Sequence, residues 1–135
     1  MYDAHPGVSL FALARGDEPR RSVLSEYHGM GSTTGAFMIR HGRYKYVHYV
    51  AYRPQLFDLA ADPEELTDLT GDPRHKGMLA ICEARLRAFL DPEAVDSAAK
   101  ARQRELLASH GGREAALARG DLGYTPAPGT SPDFN

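Results

Sequence analysis

The chain has 135 residues, 42% hydrophobic and 25% charged, with a formal net charge of -2, which describes one globular domain able to bury a core. That charge argues against a nucleic-acid or anionic-membrane partner, and no stretch approaches the roughly 20 apolar residues of a membrane span. The lone Cys82 excludes an internal disulfide and any multi-cysteine zinc site, and it fits a reducing compartment.

The opening MYDAHPGVSLFALARG has neither a basic start nor a sustained apolar run, so it does not read as a secretory signal, and a cytoplasmic location is expected. Leu10 and Leu13 have helical spacing between the Pro6-Gly7 turn and Gly16, giving a short helix that needs a surface to lie on. Asp17 to Arg21 then form a polar connector. Strands are expected at 22–27, 33–40 and 43–50, with His41-Gly42 as a two-residue hairpin loop of type I′. In the third strand Tyr44, Tyr46 and His48 alternate with Lys45, Val47 and Tyr49, so large side chains occupy both faces and the strand should be central.

Pro54 precedes a short edge strand at 55–59. Asp62-Pro63-Glu64-Glu65 makes a tight turn or one helical turn, and Asp72-Pro73 opens an amphipathic helix over 73–90. Met78, Cys82, Leu86 and Phe89 form its stripe, widened by Leu79, Ile81 and Leu90. Asp91-Pro92 starts a second helix with a weaker stripe of Val95, Ala98, Ala99, Arg102, Leu106 and Leu107, stopped by Gly111-Gly112. A short helix at 113–119 and an extended Gly/Pro-rich tail follow. The expected fold is therefore α+β: a small antiparallel sheet of about four strands packed by a C-terminal amphipathic helix, plus a second helix and a tail. Residues 1–110 form the domain (1–21 lead-in, 22–59 sheet, 73–110 helices) and 111–135 the tail.

Several phrases together resemble the C-terminal region of the sulfatase family, within the alkaline-phosphatase-like superfamily. They are SLFALARG at 9–16, SEYH at 25–28, GRYKYVHY at 42–49 and, most specifically, QLFDLAADPEELTDL at 55–69, which is similar to the ending LYDLxxDPxExxNL. The tail HGGREAALARGDLGYTPAPG is similar to bacterial members related to choline sulfatase and arylsulfatases. The resemblance implies a subdomain packed against a large α/β catalytic domain that hydrolyses sulfate monoesters, with phosphonate or phosphate monoesters possible in the same superfamily. It also implies a formylglycine made from a Cys/Ser-x-Pro-x-Arg motif and a calcium ion, both in that catalytic domain. Here Cys82-Glu83-Ala84-Arg85 lacks the proline and lies on an apolar stripe, so it reads as a core residue. No catalytic residue, metal ligand or cofactor is assigned to this chain, which alone is expected to be inactive.

Two residues are candidates for lining a substrate pocket, Glu26 and His28. His28 lies in a Gly-rich break at a strand end, where binding residues often sit, although a structural hydrogen bond across the domain junction is the favoured reading. His41 and His48 are not a metal pair, because no carboxylate converges on them in sequence. Lys45 reads as a stem packed on the sheet with its head in water. The Tyr44, Tyr46, Tyr49 and Tyr52 series suits a two-faced strand better than an aromatic cage. The expected partner is the catalytic domain, with a homo-oligomer through sheet and tail as a second way to hide apolar surface. The rival reading is a stand-alone interaction or oligomerisation module without activity.

Overall fold

The structure, a computed structural model, describes residues 9–16, 22–29 and 32–118. The tail beyond Ala118 and the connector at 17–21 lie outside the described residues. The chain divides into two compact units, Met1–Asp96 and Ser97–Asn135.

The first unit carries helix α1 (Leu10–Ala14) and strands β1 (Ser22–Tyr27), β2 (Ala36–His41), β3 (Tyr44–Tyr49) and β4 (Gln55–Asp58). The strands form an antiparallel meander in the order β1-β2-β3-β4, so β3 is central as its two-sided pattern required. The fold class is α+β, as the alternation of strand and helix patterns predicted. The β2–β3 loop differs by one residue from the expectation. His41 pairs with Tyr44, so the loop is Gly42-Arg43 rather than His41-Gly42. Gly42 has φ of 58° while Arg43 stays on the negative side, the type II′ pattern with glycine first, not type I′. Glycine takes the first loop position because only it enters the left-handed region without steric cost. His41 thereby remains in the strand, in hydrogen-bond contact with Ser22 Oγ at 3.2 Å.

Ile39, Tyr46 and Leu56 lie in register across β2, β3 and β4. With Phe37 they form one face of the core, and helix α2 (Lys76–Phe89) closes it with Cys82 and Leu86. All six are essentially inaccessible to solvent. At about 25 cal/mol per Å² of apolar surface, this cluster is the main stabilising term of the unit. The helix begins as expected at Asp72-Pro73, but its first turn is a 3₁₀ turn, Pro73–His75, with the Asp72 carboxylate accepting from Arg74 N at 2.9 Å. Its apolar stripe is narrower than the sequence suggested. Ile81 and Phe89 are 46% and 57% exposed, because the sheet is wide enough to cover only the Met78, Cys82, Leu86 line and its Leu79 and Leu90 flanks.

The opposite sheet face buries Val47 and Phe57 but leaves Val23 and Tyr27 of β1 43% and 54% exposed. On this face Lys45 does not send its head into water. Its Nζ lies 2.6 and 2.8 Å from the two Glu65 oxygens, an ion pair across the loop that follows β4. Helix α3 (Pro92–Ser109) starts with the Asp91 carboxylate accepting from the amides of Glu93 and Ala94, both at 3.1 Å. In its first turns Pro92 and Asp96 are buried and Val95 packs against the core.

The second unit contains the rest of α3 and helix α4 (Gly112–Ala118). Gly111 and Gly112 have φ of 89° and 82°, which ends α3 after Ser109 as the glycine pair predicted. Gln103, Leu106, Leu107, His110 and Ala116 line a shallow apolar hollow of about 320 Å³. The stripe expected on this half of the helix is not buried among the described residues: Leu106 and Leu107 are 44% and 39% exposed.

Candidate functional site

The two candidate residues meet at one end of the helix-covered sheet face. Glu26, near the end of β1, is in register with Phe37 of β2, which is in register with His48 of β3. The chain then leaves β1 and His28 turns back, bringing Nε2 to 3.5 Å from Glu26 Oε2. The His28 ring stands edge-on to Phe37, centroids 5.3 Å apart and planes at 78°. It is three-quarters buried, whereas the Glu26 carboxylate remains open to solvent. The Glu26 carboxylate can accept a hydrogen bond from a polar group arriving from the solvent side, while His28 Nε2 behind it is buried.

Around this corner stand groups that the sequence did not single out. Asp96 of α3, 5% exposed, accepts a 2.7 Å hydrogen bond from the Gly35 amide just before β2. Glu93 of the same helix lies 3.1 Å from His48 Nε2 and takes two hydrogen bonds from Arg87 of α2, which also reaches Glu83 at 3.2 Å. Arg87 holds the Glu93 carboxyl at about 2, well below its ordinary 4.5, against the opposing effect of burial. Asp96 pairs with a residue 61 positions away, so no local motif announces it. The available signal was an acidic residue on the α3 line through Pro92 and Ala99, a position otherwise inward-facing. His41 and His48 are held by Ser22 and Glu93 separately, and among the described residues no group of three or more His, Cys, Asp or Glu could hold a metal ion.

The acidic segment at 58–68 is engaged in scaffolding. Asp58 is 8% exposed and forms a two-pronged ion pair with Arg43, which draws its pKa below the ordinary value. Asp62 Oδ2 accepts from Thr67 N at 2.8 Å, and Glu65 holds Lys45. Asp68 Oδ1 accepts from Thr70 N and from Leu56 N at 3.2 Å, which satisfies a main-chain donor on edge strand β4. The hollow of about 340 Å³ lined by Asp58, Ala61, Asp62, Thr67, Leu69 and His75 is thus bordered by carboxylates already committed to cations and amides. Cys82 is buried in the core, where burial raises its thiol pKa, as suits a packing residue.

No family model matches the chain. It is 42% identical over 88 residues to a choline-sulfatase of Rhizobium meliloti, covering 65% of this chain and 16% of that protein. It is 43% identical over 75 residues to arylsulfatase K of Gallus gallus, covering 47% of this chain and 14% of that protein. Among solved structures, a 2-O GAG sulfatase superposes with a TM-score of 0.56 and 33% identity, over 66% of this chain and 20% of that one. The chain spans about one sixth of the length of the curated relatives it matches. Over the segment it shares with them, the chain is homologous in sequence and in fold to the sulfatases.

Proposed function

We propose that this chain is the C-terminal subdomain of a sulfatase-type enzyme that hydrolyses sulfate monoesters. It buttresses a catalytic domain, and Glu26 and His28 border the substrate pocket. The observation that carries this reading is the pairing of sulfatase homology with a span of only 16% of the choline-sulfatase. Surface left uncovered supports it: Leu10 and Phe11 of α1 are 79% and 80% exposed, and Val23 and Tyr27 on β1 are open as well. Apolar side chains displayed on so short a helix call for a neighbouring body. A catalytic domain is that body in this reading, and a homo-oligomer through sheet and tail is the alternative cover.

The described residues do not fit a calcium site, and Cys82 lacks the sequence context of a formylglycine precursor. Both groups are therefore assigned to the catalytic domain. Its own contribution is to hold the pocket edge: Glu26 and His28 offer an acceptor and an imidazole to the alcohol part of the ester.

The test is a chimera in which this chain replaces the matched segment of the Rhizobium meliloti choline-sulfatase. The chimera should hydrolyse sulfate esters while the isolated chain, with calcium or manganese, does not. Glu26→Ala and His28→Ala in the chimera should raise KM more than they lower kcat. Turnover by the isolated chain would overturn the subdomain reading, and unchanged KM in both variants would remove the residues from the pocket.

A further inference from the structure

The corner that carries His28 is built around a glycine. The Gly35 amide donates to Asp96 Oδ1 at 2.7 Å, which pins the segment entering β2 to the first turns of α3. A Cβ placed on Gly35 would lie 2.9 Å from His28 Cε1, 3.1 Å from His28 Nδ1 and 3.0 Å from Phe37 Cε2. Real Cβ atoms essentially never come as near as the 2.9 Å to His28 Cε1, and the other two approaches are tighter than nine in ten real Cβ contacts. Gly35 has no positive φ, so the glycine is needed for the close approach of the ring and not for a turn. Phe37 closes the other side, edge-on at 5.3 Å, and Glu26 lies along the ring's Nε2 edge.

We infer that Gly35 and Asp96 are positioning residues for His28: Asp96 fixes the backbone of residue 35, and the bare Cα there makes room for the imidazole against Phe37. Asp96 does this through the Gly35 amide and needs no contact with a substrate. The inference deepens the reading of His28 as a pocket-edge residue and rests on it for its functional consequence. The seat itself is a property of the isolated chain.

The experiment is NMR on the full 135-residue chain, following the His28 Cε1–H cross-peak, its nuclear Overhauser contact to the Phe37 ring, and exchange of the Gly35 amide. In Gly35→Ala the His28 cross-peak should move and the contact to Phe37 should disappear, while the His48 and His75 cross-peaks stay in place. The closest clash falls on the His28 ring, which can swing outward, and the approach to Phe37 needs a shift of only a few tenths of an ångström, so the fold is retained. Asp96→Asn keeps an acceptor and should preserve both the Gly35 protection and the His28 position. Asp96→Ala should speed exchange at Gly35 and shift His28. An unmoved His28 cross-peak in Gly35→Ala would overturn the inference. So would loss of the Phe37 contact in the acceptor-retaining Asp96→Asn. A seat that behaves as described, in a chimera whose KM ignores His28, would refute the pocket reading and leave the seat standing.

Discussion

Replacing Leu86 by alanine is the sharpest probe of how α2 lies on the sheet. Leu86 is fully buried among Phe37, Ile39, Tyr46, Leu56 and Cys82. The substitution removes three carbons, worth about 2.4 kcal/mol at about 0.8 kcal/mol for each buried CH₂. The sheet beneath cannot collapse into the gap, since β3 is held by strands on both sides, so a cavity penalty is added. The expected loss is about 3–4 kcal/mol, a large part of the roughly 5–15 kcal/mol that holds a domain together. Phe89→Ala is the control, because Phe89 lies on the same sequence stripe but is 57% exposed. With more than half its surface already in water, it should cost about 1 kcal/mol or less. The assay is urea unfolding followed by circular dichroism, comparing midpoints at unchanged slope. Equal losses, or a larger one for Phe89, would refute the placement of α2 through the Cys82–Leu86 line.

Glu93→Gln should flatten the acid limb of the stability curve. The Glu93 carboxyl is held at about 2 against an ordinary 4.5, so its contribution is complete above 4.5 and disappears as the pH falls through about 2. Loss of stability between those two values, measured by denaturant midpoints, should be shallower in the variant, and salt should narrow the difference because the cluster faces solvent. The Cys82 thiol, buried and with its pKa raised, should resist alkylation in the native chain and react on unfolding, which mass spectrometry reads directly. The Tyr46 phenol, pushed up to about 12 by burial, should be missing from the tyrosine absorbance titration until the chain begins to unfold. Ala51 sits in the β3–β4 loop with φ of 66°, so Ala51→Gly should gain about 0.5 kcal/mol as relief of left-handed strain outweighs the added chain entropy. An unchanged or lower melting temperature would count against that conformation.

Much of the architecture was legible in the residues because it follows from local rules. Alternation of large side chains from Tyr44 to Tyr49 marks a strand packed on both sides, and β3 is central. Asp72-Pro73 and Asp91-Pro92 each join a capping carboxylate to a residue pre-set for a helix start, and both helices begin there. The Gly111-Gly112 pair ends α3 through its positive φ values. The phrase at 55–69 resembled the sulfatases, to which the chain is similar over the shared segment, although it did not show which groups its carboxylates would meet.

Tertiary structure decided what depends on partners distant in the chain. The hairpin shifted by one residue because the β2–β3 register, set by Ile39 meeting Tyr46 over the core, outweighs the preference of any one loop residue. Lys45 found Glu65, Asp58 found Arg43 and Asp68 found the Leu56 amide only once the meander had folded back on itself. The corner around His28 is the extreme case: Gly35 and Asp96 are 61 residues apart, and nothing local to either one names the other. Periodicity, capping and turn chemistry act over a few residues and can be read along the chain. Register and the pairing of buried charges are settled by whichever surfaces meet, and those meetings exist only in three dimensions.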